Sequence, residues 1–295
     1  LEKFEIDMED EDTDNIMDIV KSNLEKYKNI NAVEFLKKSQ EENTEDVKEN
    51  IEDAIKGAFF LDIKGFNITV PYKKDVLSIV DEIDERAEKI GAINTLVKIS
   101  KGYRGYNTDI IGLGKCIKNN GLSIKDRDII LLGAGGAAKA ALYLAIEEGV
   151  RSITIVNRNI KRAEELKAEV FNSFKNISAI SLDDLKKNID ILEYKDYFVF
   201  QTTDVGMFPN INSCIIDDNE FYKKCDSGID LIYTPFETAF IKKMKENGKI
   251  CINGLDMLIL QGVESFEIWN DVKVSEEIIK KVKVLLTEKL RERMK

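Results

Sequence analysis

The string Gly133-Ala134-Gly135-Gly136-Ala137-Ala138 constrains the fold of this 295-residue chain more than any other feature. An apolar run at 129–132 precedes it, an alanine-rich stretch follows, and a second apolar run occupies 153–156. Strand, glycine turn, helix and strand in that order predict a βαβ unit, and the parallel sheet it belongs to must be covered on both faces. Each small residue has a physical task. Gly133 permits the tight turn, Gly135 lets an anion approach backbone N–H groups, and Ala138 lets the helix pack close to the strand. Alone, a G-x-G-x-x-A string is a bland glycine-rich turn; with both flanking elements it reads as a dinucleotide fingerprint, in which Gly133, Ala134, Gly135, Gly136 and Ala137 face a pyrophosphate.

The second strand of the unit ends in Asn157-Arg158-Asn159, with Arg162 four residues beyond Arg158. A chain that holds NAD is expected to place an acidic residue there, to accept the ribose 2′-OH and repel a 2′-phosphate. Arginine does the reverse, since a guanidinium forks onto phosphate oxygens and stacks on adenine. Asn157, Arg158 and Arg162 are therefore candidate ligands for the 2′-phosphate of NADP. The bland alternative is that both arginines are solvated surface charges.

Composition narrows the chemistry. The chain has no histidine, so proton transfer must fall to Lys, Asp, Glu, Tyr or Cys. A formal net charge of -10 argues against nucleic acid and anionic lipid as partners. Cys116, Cys214, Cys225 and Cys251 show neither metal-ligand nor disulfide spacing, which predicts free thiols in a reducing compartment and no bound metal. No apolar run approaches a membrane span, and the acidic start is unlike a signal peptide, so a cytoplasmic location is expected.

Along the chain, residues up to about Gly57 are dense in Glu, Lys, Asp and Asn. Ile16, Ile19, Val20 and Leu24, then Val47, Ile51, Ala54 and Ile55, fall at helical spacing and predict amphipathic helices with solvated outer faces. From Ala58, "AFFLDIKGFNITVPYKK" reads as extended chain stopped by Pro71 and followed by a helical pattern. "AINTLVKISKGYRGYNTD" predicts two strands around a Ser-Lys-Gly turn. "YFVFQTT", "SGIDLIYTP" and "GKICINGL" continue the parallel sheet, and amphipathic helices follow from about Met257 and fold back on the first domain.

A second constellation joins "NITVPYK" to "NTD": Thr69 and Lys73 close one segment, and Asn107, Thr108 and Asp109 close another. A lysine beside a carboxylate is a workable acid/base pair for carbonyl/alcohol interconversion when histidine is absent. By spacing alone, such a pair is more often a surface ion pair of little consequence.

Taken together, "GFNITVPYK", "GAINT", "GYNTD", "LLGAGGAAKA", "NRNIKRAEEL", "TTDVGM", "DLIYTP" and "GLDMLILQG" stand in the order and approximate spacing of shikimate dehydrogenases, and the chain resembles that family over roughly Gly65 to Trp269. The resemblance implies an α/β fold of two domains: a substrate domain over 1–110 completed by helices of 256–295, and a Rossmann-like NADP-binding domain over 111–255. It implies NADP-dependent interconversion of 3-dehydroshikimate and shikimate in the cleft between them, in a monomer or homodimer. It further implies that Lys73 and Asp109 are catalytic, that Thr69, Asn94, Tyr233 and Gln261 contact the substrate, that Gly254 and Met257 lie near the nicotinamide, and that Thr202, Thr203 and Gly206 line the cofactor side.

The chain departs from the family pattern in several places. It carries no Ser-x-Ser, whereas the family opens with a Ser-x-Ser-Pro loop that holds the substrate carboxylate and a later His-Asn pair. "LEKFEID" at the start resembles the family's second strand, so the expectation is an amino-terminal segment removed or a carboxylate hook lost. The helical stretch between Met8 and Gly57 is longer than the family's. Gln201 and Asp204 replace the Asn and Pro of the usual "NTTPVGM", and Asn159 replaces a frequent Thr. Two further readings compete: a quinate/shikimate dehydrogenase that accepts NAD, which Arg158 and Arg162 disfavour, and a non-catalytic NADP-binding paralogue, disfavoured by the joint presence of Lys73, Asp109, Asn94 and Gln261.

Overall fold

The computed structural model describes residues 44–69 and 71–293. Residues 1–55 and 56–295 separate as two compact units. The expected helix through Ile16–Leu24 and the strand-like "LEKFEID" lie outside the described residues.

Helix α1 (Thr44–Phe60) carries the positions of Val47 to Ile55, as their spacing predicts. It also takes in Ala58 to Phe60, where extended chain is expected from the sequence; strand β1 is only Gly65–Asn67. The helical period simply runs on until Asp62, which adopts a left-handed backbone with φ 58°. After Pro71 the expected helix is a single 3-10 turn, Asp75–Ser78. Strand β2 (Glu82–Ile83) and helix α2 (Glu85–Ile90) follow, and Asp84 caps α2 by accepting from the Arg86 N–H. Strands β3 (Thr95–Ile99) and β4 (Gly102–Tyr106) pair antiparallel around the Ser-Lys-Gly turn. These strands form a sheet of order β1-β3-β4-β2. Asn107 then caps helix α3 (Thr108–Asn119), its side chain accepting from the N–H groups of Asp109 and Ile110.

Strand β5 (Asp128–Leu132), helix α4 (Gly136–Glu147) and strand β6 (Ser152–Asn157) form the expected βαβ unit. The chain continues through α5 (Ile160–Val170), β7 (Ile177–Ser181), α6 (Leu182–Lys187), β8 (Tyr197–Gln201), α7 (Asn219–Lys223), β9 (Cys225–Asp230), α8 (Ala239–Glu246) and β10 (Ile250–Asn253). Its six-stranded parallel sheet has the order β10-β9-β8-β5-β6-β7. Strand β7, "ISAIS", has no counterpart in the sequence reading, because so short a run shows too little apolar periodicity to stand out.

Both faces of this sheet are dry. Ile129, Leu131, Phe198 and Phe200 belong to one core cluster, and Ile130, Leu132, Tyr197 and Val199 to another. The alternation along β5 and β8 therefore sends every second side chain to each covered face.

Helices α9 (Leu255–Asn270) and α10 (Glu276–Arg293) end the described chain. Helix α9 crosses from the parallel sheet to the four-stranded mixed one, in which β2 and β4 pair parallel and the other pairs are antiparallel. Near its end the Trp269 indole donates to the Leu96 carbonyl at 2.9 Å, over Gly65, where a Cβ would come within 2.3 Å of the ring nitrogen. Midway it lies against α3 at Gly112, whose missing side chain would otherwise meet Gln261 Cβ at 2.8 Å.

Candidate active site

The start of β3 with Asn94 just before it, the amino end of α3, and the turn at 71–74 that leads into the 3-10 turn bring one polar cluster together. Lys73 Nζ donates to Asp109 Oδ2 at 2.6 Å, and Asn94 Nδ2 donates to Asp109 Oδ1 at 2.9 Å. Both carboxylate oxygens are thus engaged. The Lys73 and Asp109 side chains remain 23% and 18% exposed, enough for a small molecule to reach them. An ordinary surface ion pair is floppier and wetter than this.

Asn94 itself is buried, with 3% of its surface exposed, and its amide orientation is overdetermined. Its Oδ1 accepts from the Thr108 N–H at 2.8 Å, from the Thr95 hydroxyl at 3.0 Å and from the Thr108 hydroxyl at 3.2 Å. A flipped amide would aim its NH₂ at the Thr108 N–H, so Asn94 can point only its NH₂ at Asp109. Beneath it, the Ser265 hydroxyl of α9 lies 2.9 Å from that of Thr95 and 3.2 Å from that of Thr108, and Asn67 Nδ2 donates to Thr95 and Ser265. Gln261 joins through Thr108 at 3.5 Å, and its Nε2 donates to the Leu258 carbonyl.

Lys73, Asn94, Asp109 and Gln261 therefore meet, as their motifs suggest. Thr69 and Tyr233, both exposed, make no side-chain hydrogen bond to the cluster among the described residues. Ser265, Thr95 and Asn67 join the cluster although no role was expected of them: Thr95 and Asn67 lie within "GAINT" and "GFNITVPYK", and Ser265 lies just beyond "GLDMLILQG". A lone hydroxyl or amide carries no motif of its own, although the i, i+4 spacing of Gln261 and Ser265 puts both on one helix face.

The second half of the site lies at the carboxyl ends of the parallel strands. Strand order reverses between β5 and β8, which is where open α/β sheets hold their ligands. Gly133 takes φ +115°, closed to other residues without strain, and a Cβ there would meet the Thr202 hydroxyl at 2.5 Å. Beyond it, Gly135, Gly136 and Ala137 are exposed, a Cβ on Gly135 or Gly136 would meet nothing within 4 Å, and no side chain caps α4. The first turn of α4 thus offers free N–H groups to an anion across open space. At the end of β6, Arg158, Lys161 and Arg162 are exposed and form no ion pair among the described residues. Open glycines, an uncapped helix start and unengaged cations fit a dinucleotide with an extra phosphate.

The loop after β8 faces this turn. The Thr202 hydroxyl donates to the Leu132 carbonyl at 2.7 Å, and the Thr203 hydroxyl donates to Gln201 Oε1 at 2.7 Å. Both threonine side chains are thus turned into the protein, and the loop presents its backbone. Gly254 seats α9 against the Leu231 carbonyl, where a Cβ would come within 2.1 Å, and Met257 follows it one turn on.

The chain is similar to known proteins over most of its length. Residues 17–96 match the shikimate dehydrogenase substrate binding domain, residues 105–203 match shikimate / quinate 5-dehydrogenase, and residues 254–282 match the shikimate 5′-dehydrogenase C-terminal domain. A shikimate dehydrogenase (NADP(+)) of Methanococcus maripaludis is 38% identical over 235 residues, 79% of this chain and 82% of the relative. Among solved structures, a chorismate mutase/shikimate 5-dehydrogenase fusion protein from Clostridium acetobutylicum is 35% identical, with a TM-score of 0.74 over 83% of this chain and 85% of that one. A shikimate dehydrogenase solved in complex with NADP+ is also 35% identical, with a TM-score of 0.69 over 80% of this chain and 81% of that one.

Proposed function

The chain belongs to the shikimate dehydrogenase family, and from that premise we propose that it is an NADP-dependent oxidoreductase interconverting 3-dehydroshikimate and shikimate. The observation that carries the reading is the Lys73–Asp109 pair at 2.6 Å with Asn94 locked onto the same carboxylate, in a chain without histidine. A sensor of the cofactor would need none of these.

We assign the substrate side to 1–110 with helices of 256–295, and the cofactor side to 111–255. When bound, NADP supplies the hydride acceptor or donor. Lys73 donates a proton to the substrate oxygen as it becomes an alkoxide, and takes one back in the reverse direction. Asp109, held by Asn94, keeps the ammonium aimed and accepts from a substrate hydroxyl. Thr69, Asn94, Tyr233 and Gln261 position the ring. Open backbone at Gly133, Ala134, Gly135, Gly136 and Ala137 faces the pyrophosphate, while Asn157, Arg158 and Arg162 hold the 2′-phosphate. Thr202, Thr203 and Gly206 line the cofactor side of the cleft, and Gly254 and Met257 lie near the nicotinamide. No helix among the described residues is long and apolar enough to cross a membrane, and we place the enzyme in the cytoplasm, as a monomer or homodimer.

The test is the initial rate of NADPH oxidation with 3-dehydroshikimate, repeated with NADH and, in the reverse direction, with quinate in place of shikimate. Turnover with NADPH well above that with NADH is expected. Equal rates with the two cofactors would remove the role given to the arginines, and no oxidation with either would remove the activity.

A further inference from the structure

Behind the 202–206 loop sits a buried polar group that the chemistry above does not use. Asp230, the last residue of β9, is fully buried, yet its carboxylate is not orphaned. Oδ2 accepts from the Thr238 hydroxyl at 2.6 Å, and Oδ1 accepts from the Ile232 N–H at 3.0 Å and, more weakly, from Gln201 Nε2 at 3.4 Å. Gln201, also fully buried, spends the rest of its amide on the loop. Its Oε1 accepts from the Thr203 N–H and hydroxyl, each at 2.7 Å, and its Nε2 donates to the carbonyls of Thr203 and Val205, each at 3.3 Å. Thr238 closes the ring from the other side. It caps α8 by accepting from the Ile241 N–H, and its Cβ lies 3.5 Å from where a Gly206 Cβ would stand.

We propose that Asp230 is a positioning residue for the cofactor-facing loop, acting through Gln201 on residues 202–205 and through Thr238 on Gly206. The proposal rests on the reading that this loop borders NADP. Gln201, where the family resemblance leads one to expect Asn, is long enough to span from the loop to Asp230. A charged acceptor holds hydroxyl and amide donors more tightly than a neutral one, so the ionised carboxylate is the form that fixes the loop.

Burial pushes the Asp230 carboxyl up to about 7, against the opposing pull of its three hydrogen-bond donors. No charged side chain contributes to that shift. Gln201 faces it from β8, and Thr238 faces it from the amino end of α8. From β10 it meets the Cys251 thiol, which burial holds well above its usual range and so neutral. Lys243 and Lys245 of α8 are engaged outside, with Asp217 and Glu237. The loop's grip on the cofactor should therefore change across neutrality.

The experiment measures KM for NADP+ between pH 5.5 and 8.5 for the wild type, Asp230→Asn, Thr238→Val and Gly206→Val. For the wild type, KM should rise by about five- to tenfold as pH falls through 7, the size of losing one charge-assisted contact. Asp230→Asn reproduces the hydrogen-bonding pattern of the protonated acid, so its KM should lack this step and match the wild-type value at low pH. Titration of the 2′-phosphate itself is common to both and cancels in the comparison. Thr238→Val, which removes a donor that favours the ionised form, should move the step to higher pH. A melting series supplies the readout if a variant folds poorly: the folded pKa lies above the unfolded one, so Asp230 contributes stability below pH 4 that is lost as pH rises to 7. The wild-type melting temperature, taken relative to Asp230→Asn, should fall over that window. An Asp230→Asn profile that parallels the wild type, or a KM matching the wild type at high pH, overturns the proposal. Gly206→Val separates this failure from failure of the site reading. If it leaves KM for NADP+ untouched, the loop is not at the cofactor; if it raises KM while Asp230→Asn behaves as wild type, only the role of Asp230 is lost.

Discussion

At the Lys73 cluster the central polar side chains are committed to one another, whereas at the rim beyond β6 the cations Arg158, Lys161 and Arg162 have no ion pair among the described residues. The two regions handle charge in opposite ways, as the different tasks proposed for them require. Proton transfer needs a donor held at a fixed place, and rigidity there comes from hydrogen bonds made before the substrate arrives. Phosphate recognition needs charge left unspent until the ligand is present, and a long arginine side chain in water costs little to keep so. The glycine turn belongs to the second region: its contribution is space and free N–H groups, and side chains would only remove both.

The largest expected effect is at Lys73. Lys73→Met should lower turnover by about a hundred- to ten-thousandfold, the range for a general acid/base group, with NADP+ binding by fluorescence titration unchanged. Near-normal turnover would show the pair to be structural and would move the proton to another group, Tyr233 first.

A smaller effect is expected where the two regions are joined. Gly112→Val would press on Gln261 Cβ, which lies 2.8 Å from the position of a Cβ, and shift α9 against α3. A displacement near 1 Å in an active site costs about a hundredfold in rate. Steady-state kinetics should show lower kcat and higher KM for shikimate, and a variant with wild-type kinetics would mean that α9 does not place Gln261.

Next comes Arg158→Ala, which should weaken NADP+ binding by about 1–3 kcal/mol and leave NAD+ binding nearly unaltered. Equal losses for both cofactors would show that the rim does not read the 2′-phosphate. The smallest effect belongs to Ser265→Ala. It removes one hydroxyl from below Asn94 while Thr108 still holds the amide, so denaturant unfolding should report a loss of about 1 kcal/mol and kcat should change by less than about threefold. A collapse of kcat in a folded protein would mean that the clamp on Asp109 begins in α9.

Much of this organisation is legible in the sequence alone. The βαβ unit at 128–157 declares itself because apolar period, glycine placement and helix propensity agree over a long stretch. The β3–β4 hairpin does so because a Lys-Gly turn separates two alternating runs. Short signals fail. The end of α1 reads as extended chain because the short apolar run at 58–61 fits either period, and β7 leaves no readable trace because "ISAIS" is small, half polar and not strictly alternating.

What the sequence determined by itself was residue type at motif positions: a lysine and an aspartate with no histidine to compete, glycines at the turn, and arginines where an acid would exclude the 2′-phosphate. What only the tertiary structure decided was company. Asn94 and Asp109 stand 15 residues apart, Thr95 and Ser265 stand 170 apart, and nothing local in either stretch states that they touch. Gln201 and Asp230 meet because adjacent parallel strands end level with each other, in register Gln201 with Asp230. Hydrogen bonds of this kind are short-ranged, so their strength is a property of a distance, and distances between remote residues exist only once the chain has packed.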